Sequence, residues 1–119
     1  MEQDYQEEMW QEAGKTFARF CSIIAKLRDP DGGCPWDLKQ DHKSLRQYMI
    51  EEAYEAYSAM SCDDSELLCE ELGDVLLQVV LNSQIAKDHN QFAITQVIRG
   101  ITEKIVRRHP HVFAVENSQ

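Results

Sequence analysis

Apolar residues recur at three- and four-residue steps in four stretches of the chain, and each stretch predicts an amphipathic α-helix. The first covers about residues 6–27, with Trp10, Phe17, Phe20, Ile24 and Leu27 on one face and Gly14 as a weak point. Residues 28–41 break the pattern with Asp29-Pro30-Asp31-Gly32-Gly33 and Cys34-Pro35-Trp36-Asp37, a density of Pro and Gly that predicts a loop. A second helix is expected over about 42–60, striped by Leu45, Tyr48, Met49, Ala53, Ala56 and Tyr57, the three tyrosines of this stretch (Tyr48, Tyr54, Tyr57) being core or interface. After a turn at 61–64, Asp63 and Glu66 have the spacing of a capping box that would start a third helix, about 65–87. Within it, residues 75–81 are apolar around nearly the whole circumference. Such a helix is central or lies in a subunit interface. A strand is the competing reading of so short a run, but the flanking helix formers and short connections favour helix. The fourth helix, about 92–108, carries Phe92, Val97, Ile98, Ile101, Ile105 and Val106 and stops before Pro110, leaving a short mixed tail. With no repeat or linker, the expected architecture is one domain over residues 1–119, an all-α bundle of about four helices.

Two acidic couples interrupt the apolar stripes: Glu51-Glu52-x-x-Glu55 in the second helix and Glu71-x-x-Asp74 in the third. Three-residue spacing puts side chains on one helical face. If the two helices pack antiparallel, Glu52, Glu55, Glu71 and Asp74 point at one another. Four carboxylates in a dry groove repel, because desolvation and like charge both oppose ionisation. A hard divalent cation removes that conflict, and an all-oxygen donor set suits magnesium or manganese. Acidic residues at helical spacing more often form a solvated face, but two couples at ligand spacing, one leading into an apolar run, favour the metal site.

Composition narrows the field further. The chain has 119 residues, 43% of them apolar, which fits a folded domain with its own core. Its net charge of −9 disfavours a general nucleic-acid binder, whose affinity comes from Lys and Arg on phosphates. Cys21, Cys34, Cys62 and Cys69 make no Cys-x-x-Cys pair, so free thiols in a reducing cytoplasm are expected. The acidic N-terminus lacks a signal peptide's apolar core, and no apolar run is long enough to span a membrane.

The ordered set of motifs resembles the MazG family of nucleoside triphosphate pyrophosphohydrolases. It runs from Leu27-Arg28-Asp29-Pro30 and Gly33-Cys34-Pro35-Trp36-Asp37 through Glu51-Glu52-Ala53-Tyr54-Glu55 and Glu71-Leu72-Gly73-Asp74. It ends in Glu103-Lys104-Ile105-Val106-Arg107-Arg108-His109-Pro110-His111-Val112-Phe113. The match covers about residues 17–113. The loop and the C-terminal signature are more similar to the first copy of the long, two-copy members.

This resemblance implies a magnesium enzyme that hydrolyses nucleoside triphosphates to monophosphate and pyrophosphate. It places the metal ligands on Glu52, Glu55, Glu71 and Asp74 and the basic C-terminal motif on Lys104, Arg107 and Arg108. It also implies a homodimer or higher homo-oligomer whose helices complete the site. The chemistry agrees: attack of water on a phosphoryl group needs negative charge neutralised and the water positioned, which bound metal does. Lys104, Arg107 and Arg108 would hold phosphate oxygens, although Arg107 and Arg108 also suit a helix C-terminal dipole. Glu51 would orient or deprotonate water. Trp36 and Lys39 are either substrate contacts, the indole on a nucleotide base, or a core cap and an exposed loop lysine. His109 and His111 are awkwardly spaced for an oxygen-rich metal site and read as terminal-loop residues. Several active relatives carry Asn seven residues after the Asp of the second couple. Here that position is Leu81, with Asn82 about 100° further round the helix. A catalytically weak, regulatory nucleotide-binding module is therefore the competing function. A purely helical assembly protein would leave the inward-facing acids unexplained.

Overall fold

The computed structural model describes the backbone of residues 2–117 and the side chains of residues 6–113. Among the described residues there are six helices and no strand. The four that the apolar periodicity predicts are α1 (Glu2–Leu27), α3 (His42–Met60), α4 (Ser65–Asp88) and α5 (Ile94–Arg108). Two short helices were expected as loop and tail: α2 (Pro35–Lys39) and α6 (Pro110–Asn117). Each opens on a proline, which breaks a helix interior but suits the first turn, where its missing N–H has no intrahelical partner anyway. The start of α4 also differs from expectation. Asp64, not Asp63, caps it, its Oδ1 accepting from the Leu67 N–H at 3.1 Å. The third helical residue is then Leu67, so the reciprocal bond of a capping box does not form.

The chain divides into two compact units, Met1–Asn82 and Ser83–Gln119. In the first, α3 and α4 run antiparallel. His42, at the start of α3, meets Asn82, near the far end of α4, at 2.8 Å, while Glu52 and Glu55 meet Glu71 and Asp74 midway along both helices. Asp41 starts α3 with a true capping box: its Oδ1 accepts from the Ser44 N–H at 2.7 Å, and the Ser44 hydroxyl accepts from the Asp41 N–H at 2.9 Å. The buried side chains of this unit are Ile24, Leu45, Ala56, Ala59, Val80 and Leu81, together with Arg28 and Gln78. Between α1 and α4 an apolar groove of about 640 Å³ is lined by Ala13, Phe17, Phe20, Gly73 and Leu76.

The turn leading from α1 to α2 is tightly specified. Gly32 has φ +96°, a left-handed conformation that suits glycine. A Cβ on Gly33 would lie 2.5 Å from the Leu27 carbonyl oxygen and closer still to that of Asp29. The Cys34 N–H closes the turn on the Leu27 carbonyl at 2.8 Å. Arg28, buried, reaches across it and donates to the carbonyls of Asp37 and Gln40, which fixes α2 against the end of α1.

In the second unit α4 ends in a Schellman arrangement. Asn90 takes a left-handed φ of 58°, the Gln91 N–H bonds the Ala86 carbonyl and the Asn90 N–H that of Lys87. The Gln96 side chain then accepts from the Ala93 N–H at 2.6 Å and starts α5. α5 packs with α6, and its apolar face (Val97, Ile98, Ile101, Ile105) stays well exposed. No helix among the described residues is long and apolar enough to cross a membrane.

Candidate metal centre

The inward-facing stripe of α3 runs Leu45, Met49, Glu52, Ala56, Ala59, at alternating steps of four and three, with Met49 and Glu52 half-buried between buried neighbours. Glu52 therefore occupies a core position, not the solvated face usual for glutamate. The facing stripe of α4 runs Leu67, Glu71, Asp74, Gln78, Leu81 at the same steps, so three consecutive polar residues interrupt an otherwise apolar seam. Where the interruptions meet, Glu52, Glu55, Glu71 and Asp74 bring one carboxylate oxygen each within 4.8 Å of the others. Only Glu55 of the four is largely exposed.

The electrostatics follow from this crowding. Glu52 Oε2 and Glu71 Oε2 are buried without a hydrogen-bond partner among the described residues. Loss of hydration is the largest influence raising the Glu52 carboxyl above the ordinary glutamate range, followed by repulsion from Glu55, Asp74 and Glu51. Glu71 is raised for the same leading reason, then by a hydrogen bond and repulsion from Glu55 and by the charges of Asp74 and Glu52. Two orphaned carboxylate oxygens facing two further carboxylates hold protons more tightly than an ordinary glutamate when no cation is present, and form a good site for a hard divalent cation. The donor set fits magnesium or manganese, and the four glutamate and aspartate side chains would hold it.

Of the expected site residues, these four carboxylates converge within the first unit. Glu51 points to the exposed side of α3, where its Oε1 accepts from Gln47 Nε2 at 3.3 Å. Trp36 is half exposed on α2 and stands edge-on to Tyr48, ring centroids 6.0 Å apart, with Lys39 exposed at the end of the same helix. Lys104, Arg107 and Arg108 are exposed on α5, in the second unit. Tyr54 and Tyr57, expected in a core or an interface, are not in the core: they stack on each other at 6.0 Å and remain 67% and 68% exposed. His109 Nδ1 bonds the Ile105 carbonyl, closing α5.

One polar residue near the cluster, Gln78, was not singled out by the sequence, and a second, Asn82, proves to be engaged by its neighbours. Gln78 is 5% exposed on the Glu71–Asp74 seam, and its Oε1 has no partner among the described residues. Asn82 has both ends of its amide engaged, Nδ2 donating to the Gln78 backbone carbonyl at 2.7 Å and Oδ1 accepting from His42 Nδ1. The available signal was the register of α4, where a glutamine continues the stripe that Glu71 and Asp74 begin.

Comparison with known sequences gives the family. The model of the MazG nucleotide pyrophosphohydrolase domain matches residues 40–113. A nucleoside triphosphate pyrophosphohydrolase/pyrophosphatase MazG of Thermotoga maritima is 53% identical over 102 residues, 86% of this chain and 40% of that protein. A nucleoside triphosphate pyrophosphohydrolase of Escherichia coli is 41% identical over 101 residues, 85% of this chain and 38% of that protein. The uncharacterized protein YabN of Bacillus subtilis is 60% identical over 97 residues, 82% of this chain and 20% of that protein. The chain thus spans between one-fifth and two-fifths of the length of these relatives.

Proposed function

The chain belongs to the MazG nucleotide pyrophosphohydrolase domain family, and we propose that it is a magnesium-dependent enzyme hydrolysing nucleoside triphosphates to monophosphate and pyrophosphate. The observation that carries this reading is the meeting of four carboxylates across α3 and α4, two with buried, unpaired oxygens. When bound, the cation supplies the positive charge that a polyanionic substrate needs in a protein of net charge −9. Glu52, Glu55, Glu71 and Asp74 hold it. Glu51 orients or deprotonates the attacking water. Lys104, Arg107 and Arg108 grip phosphate oxygens, and Trp36 and Lys39 meet the nucleoside end. Residues 1–119 form a MazG-like domain that works in the cytoplasm as a homodimer or higher homo-oligomer. With no Ser, Cys or His among the converging residues, direct attack by water is favoured over a covalent intermediate.

A nucleotide panel incubated with magnesium, its products separated by chromatography, tests the assignment. Monophosphate with pyrophosphate is the expected result, and diphosphate with inorganic phosphate rejects it. A second reading, a regulatory module that binds nucleotide with little turnover, is favoured by Leu81. That side chain is 2% exposed and part of the core, where active relatives are expected to carry Asn. The neighbouring Asn82 has its amide already engaged by Gln78 and His42. Magnesium-dependent nucleotide binding without hydrolysis across the panel is the outcome that selects this reading.

A further inference from the structure

Gln78 is the one buried polar side chain on the seam of α4 for which the four-carboxylate arrangement gives no role. It is 5% exposed, and its Oε1 lies wholly out of solvent with no hydrogen-bond partner among the described residues. An orphaned buried carbonyl is costly, because folding strips its hydration and returns nothing. A leucine or methionine would fill the same place in the stripe without that cost. Its neighbours along the stripe are Asp74 on one side and Leu81 on the other. The main-chain bond from Asn82 Nδ2 engages the Gln78 backbone, not its side chain.

Register gives the orphaned oxygen a destination. Gln78 lies four residues after Asp74 and seven after Glu71, on the same helical face. Long helical side chains lean toward the helix N-terminus, over the turn that precedes their own Cα. For Gln78 that turn carries Asp74. Glu52 Oε2 and Glu71 Oε2, likewise buried and unpaired, belong to the cluster this turn completes. A neutral carbonyl adds an oxygen without adding negative charge, and a small hard cation that keeps part of its hydration shell needs such acceptors around it.

From these observations we infer that Gln78 is a positioning residue of the cation site, its side-chain carbonyl serving as a fifth oxygen that accepts from the cation's hydration shell. The inference rests on the cation reading of the carboxylate cluster, and the experiment separates the two. Manganese, followed by electron paramagnetic resonance, is titrated into the full chain as wild type, Gln78→Met and Gln78→Glu. Gln78→Met should fold at least as stably as wild type without metal, because the orphaned carbonyl is gone, yet bind manganese about tenfold more weakly. Gln78→Glu, which keeps an oxygen at the position, should bind at least as tightly as wild type. Equal manganese affinity in wild type and Gln78→Met overturns the inference while leaving the carboxylate site standing. So does an equal loss in Gln78→Met and Gln78→Glu, which marks a packing effect. Should Gln78→Met fail to fold, Gln78→Glu and the shortened Gln78→Asn are read by the same criterion: retention in the first and weakening in the second support it, and no weakening in the second overturns it. A wild-type chain that binds no manganese overturns both readings together.

Discussion

His42 Nδ1 and Asn82 Oδ1 meet at 2.8 Å, joining the first turn of α3 to α4 near its exit from the first unit. The same Asn82 donates through Nδ2 to the Gln78 carbonyl one turn earlier, so one amide ties two helices and spends both its hydrogen-bonding ends. Its role is therefore structural. Asn82→Ala should lower stability by about 1 kcal/mol, the loss expected for one part-buried and one exposed hydrogen bond, as read by urea unfolding. Metal affinity should stay at the wild-type value. A large loss of manganese binding in this variant would return Asn82 to the site.

The carboxylate cluster sets a stability prediction of opposite signs with and without metal. Glu52→Gln or Asp74→Asn removes one negative charge from a crowded, dehydrated group, so each metal-free variant should melt above the wild type. Magnesium at a hundred times its dissociation constant should stabilise the wild type by roughly 2.7 kcal/mol and leave both variants unmoved. Thermal melts with and without magnesium decide it. If both variants keep the full wild-type response, the cation lies elsewhere.

The pH dependence has a defined direction. Glu52 and Glu71 have carboxyl groups raised in the folded chain, chiefly by loss of hydration. A raised folded-state value means that the folded form holds these protons more tightly than the unfolded chain does. Their contribution to stability is thus fully present below the unfolded carboxylate range and is lost as pH rises through the folded values. The metal-free protein should accordingly lose this contribution as pH rises above the ordinary glutamate range. Glu52→Gln should flatten the profile. Magnesium should flatten it as well, because the cation replaces the protons. Denaturation midpoints measured across that window, with and without magnesium, supply the check; a wild-type profile parallel to that of Glu52→Gln would contradict it.

A third perturbation lies in the turn after α1. Gly33→Ala places a methyl group against the carbonyls of Leu27 and Asp29, backbone atoms that cannot swing away. The turn they belong to also carries Arg28 and the start of α2. We expect a loss of about 2 kcal/mol or more, measured by denaturant unfolding, against a gain of about 0.5–1 kcal/mol for Gly14→Ala, inside α1, where the added methyl meets nothing within 4 Å.

How far the chain could be read in advance depended on whether a feature lives in periodicity or in local hydrogen bonding. The long helices and the four carboxylates are periodic features: Glu52 interrupts the Leu45–Met49–Ala56 stripe, and Glu71 and Asp74 interrupt the facing one, so both helices disclose the cluster. α2 and α6 are not periodic. Pro35 and Pro110 read as breakers, and only the backbone shows that each sits at a helix start, where proline is tolerated. Asp63 and Asp64 are equivalent neighbours in sequence, and the choice between them was made by the Leu67 N–H. Gln78 was passed over because a lone glutamine at helical spacing is ordinary; its burial and its unpaired oxygen are what single it out. The aromatic positions of α3 were read as one stripe, whereas Tyr54 and Tyr57 face away from the Leu45–Ala56–Ala59 side and into solvent.

That last displacement leads to a prediction about assembly. Ile50, Tyr54, Tyr57 and Met60 follow each other at three- and four-residue steps along α3, and each is more than 60% exposed. The opposite side of the same helix carries Glu52 and Glu55, so an apolar face runs along the back of α3, turned away from the carboxylate cluster, for about three turns. Large contiguous apolar patches on soluble chains usually mark contact surfaces, and closed two-fold symmetry is the commonest way to cover one. Light scattering at micromolar concentration should therefore give a dimer or a larger even-numbered assembly. Tyr57→Asp, which puts an unpaired charge into the covered face, should shift the population toward monomer, while the exposed but peripheral Lys15→Asp should not. If the assembly is also what completes the substrate site, Tyr57→Asp should raise KM for the nucleotide in proportion to the monomer fraction and leave manganese binding to the four carboxylates unchanged. A wild-type chain that stays monomeric at these concentrations would leave the Ile50–Tyr54–Tyr57 face without this role.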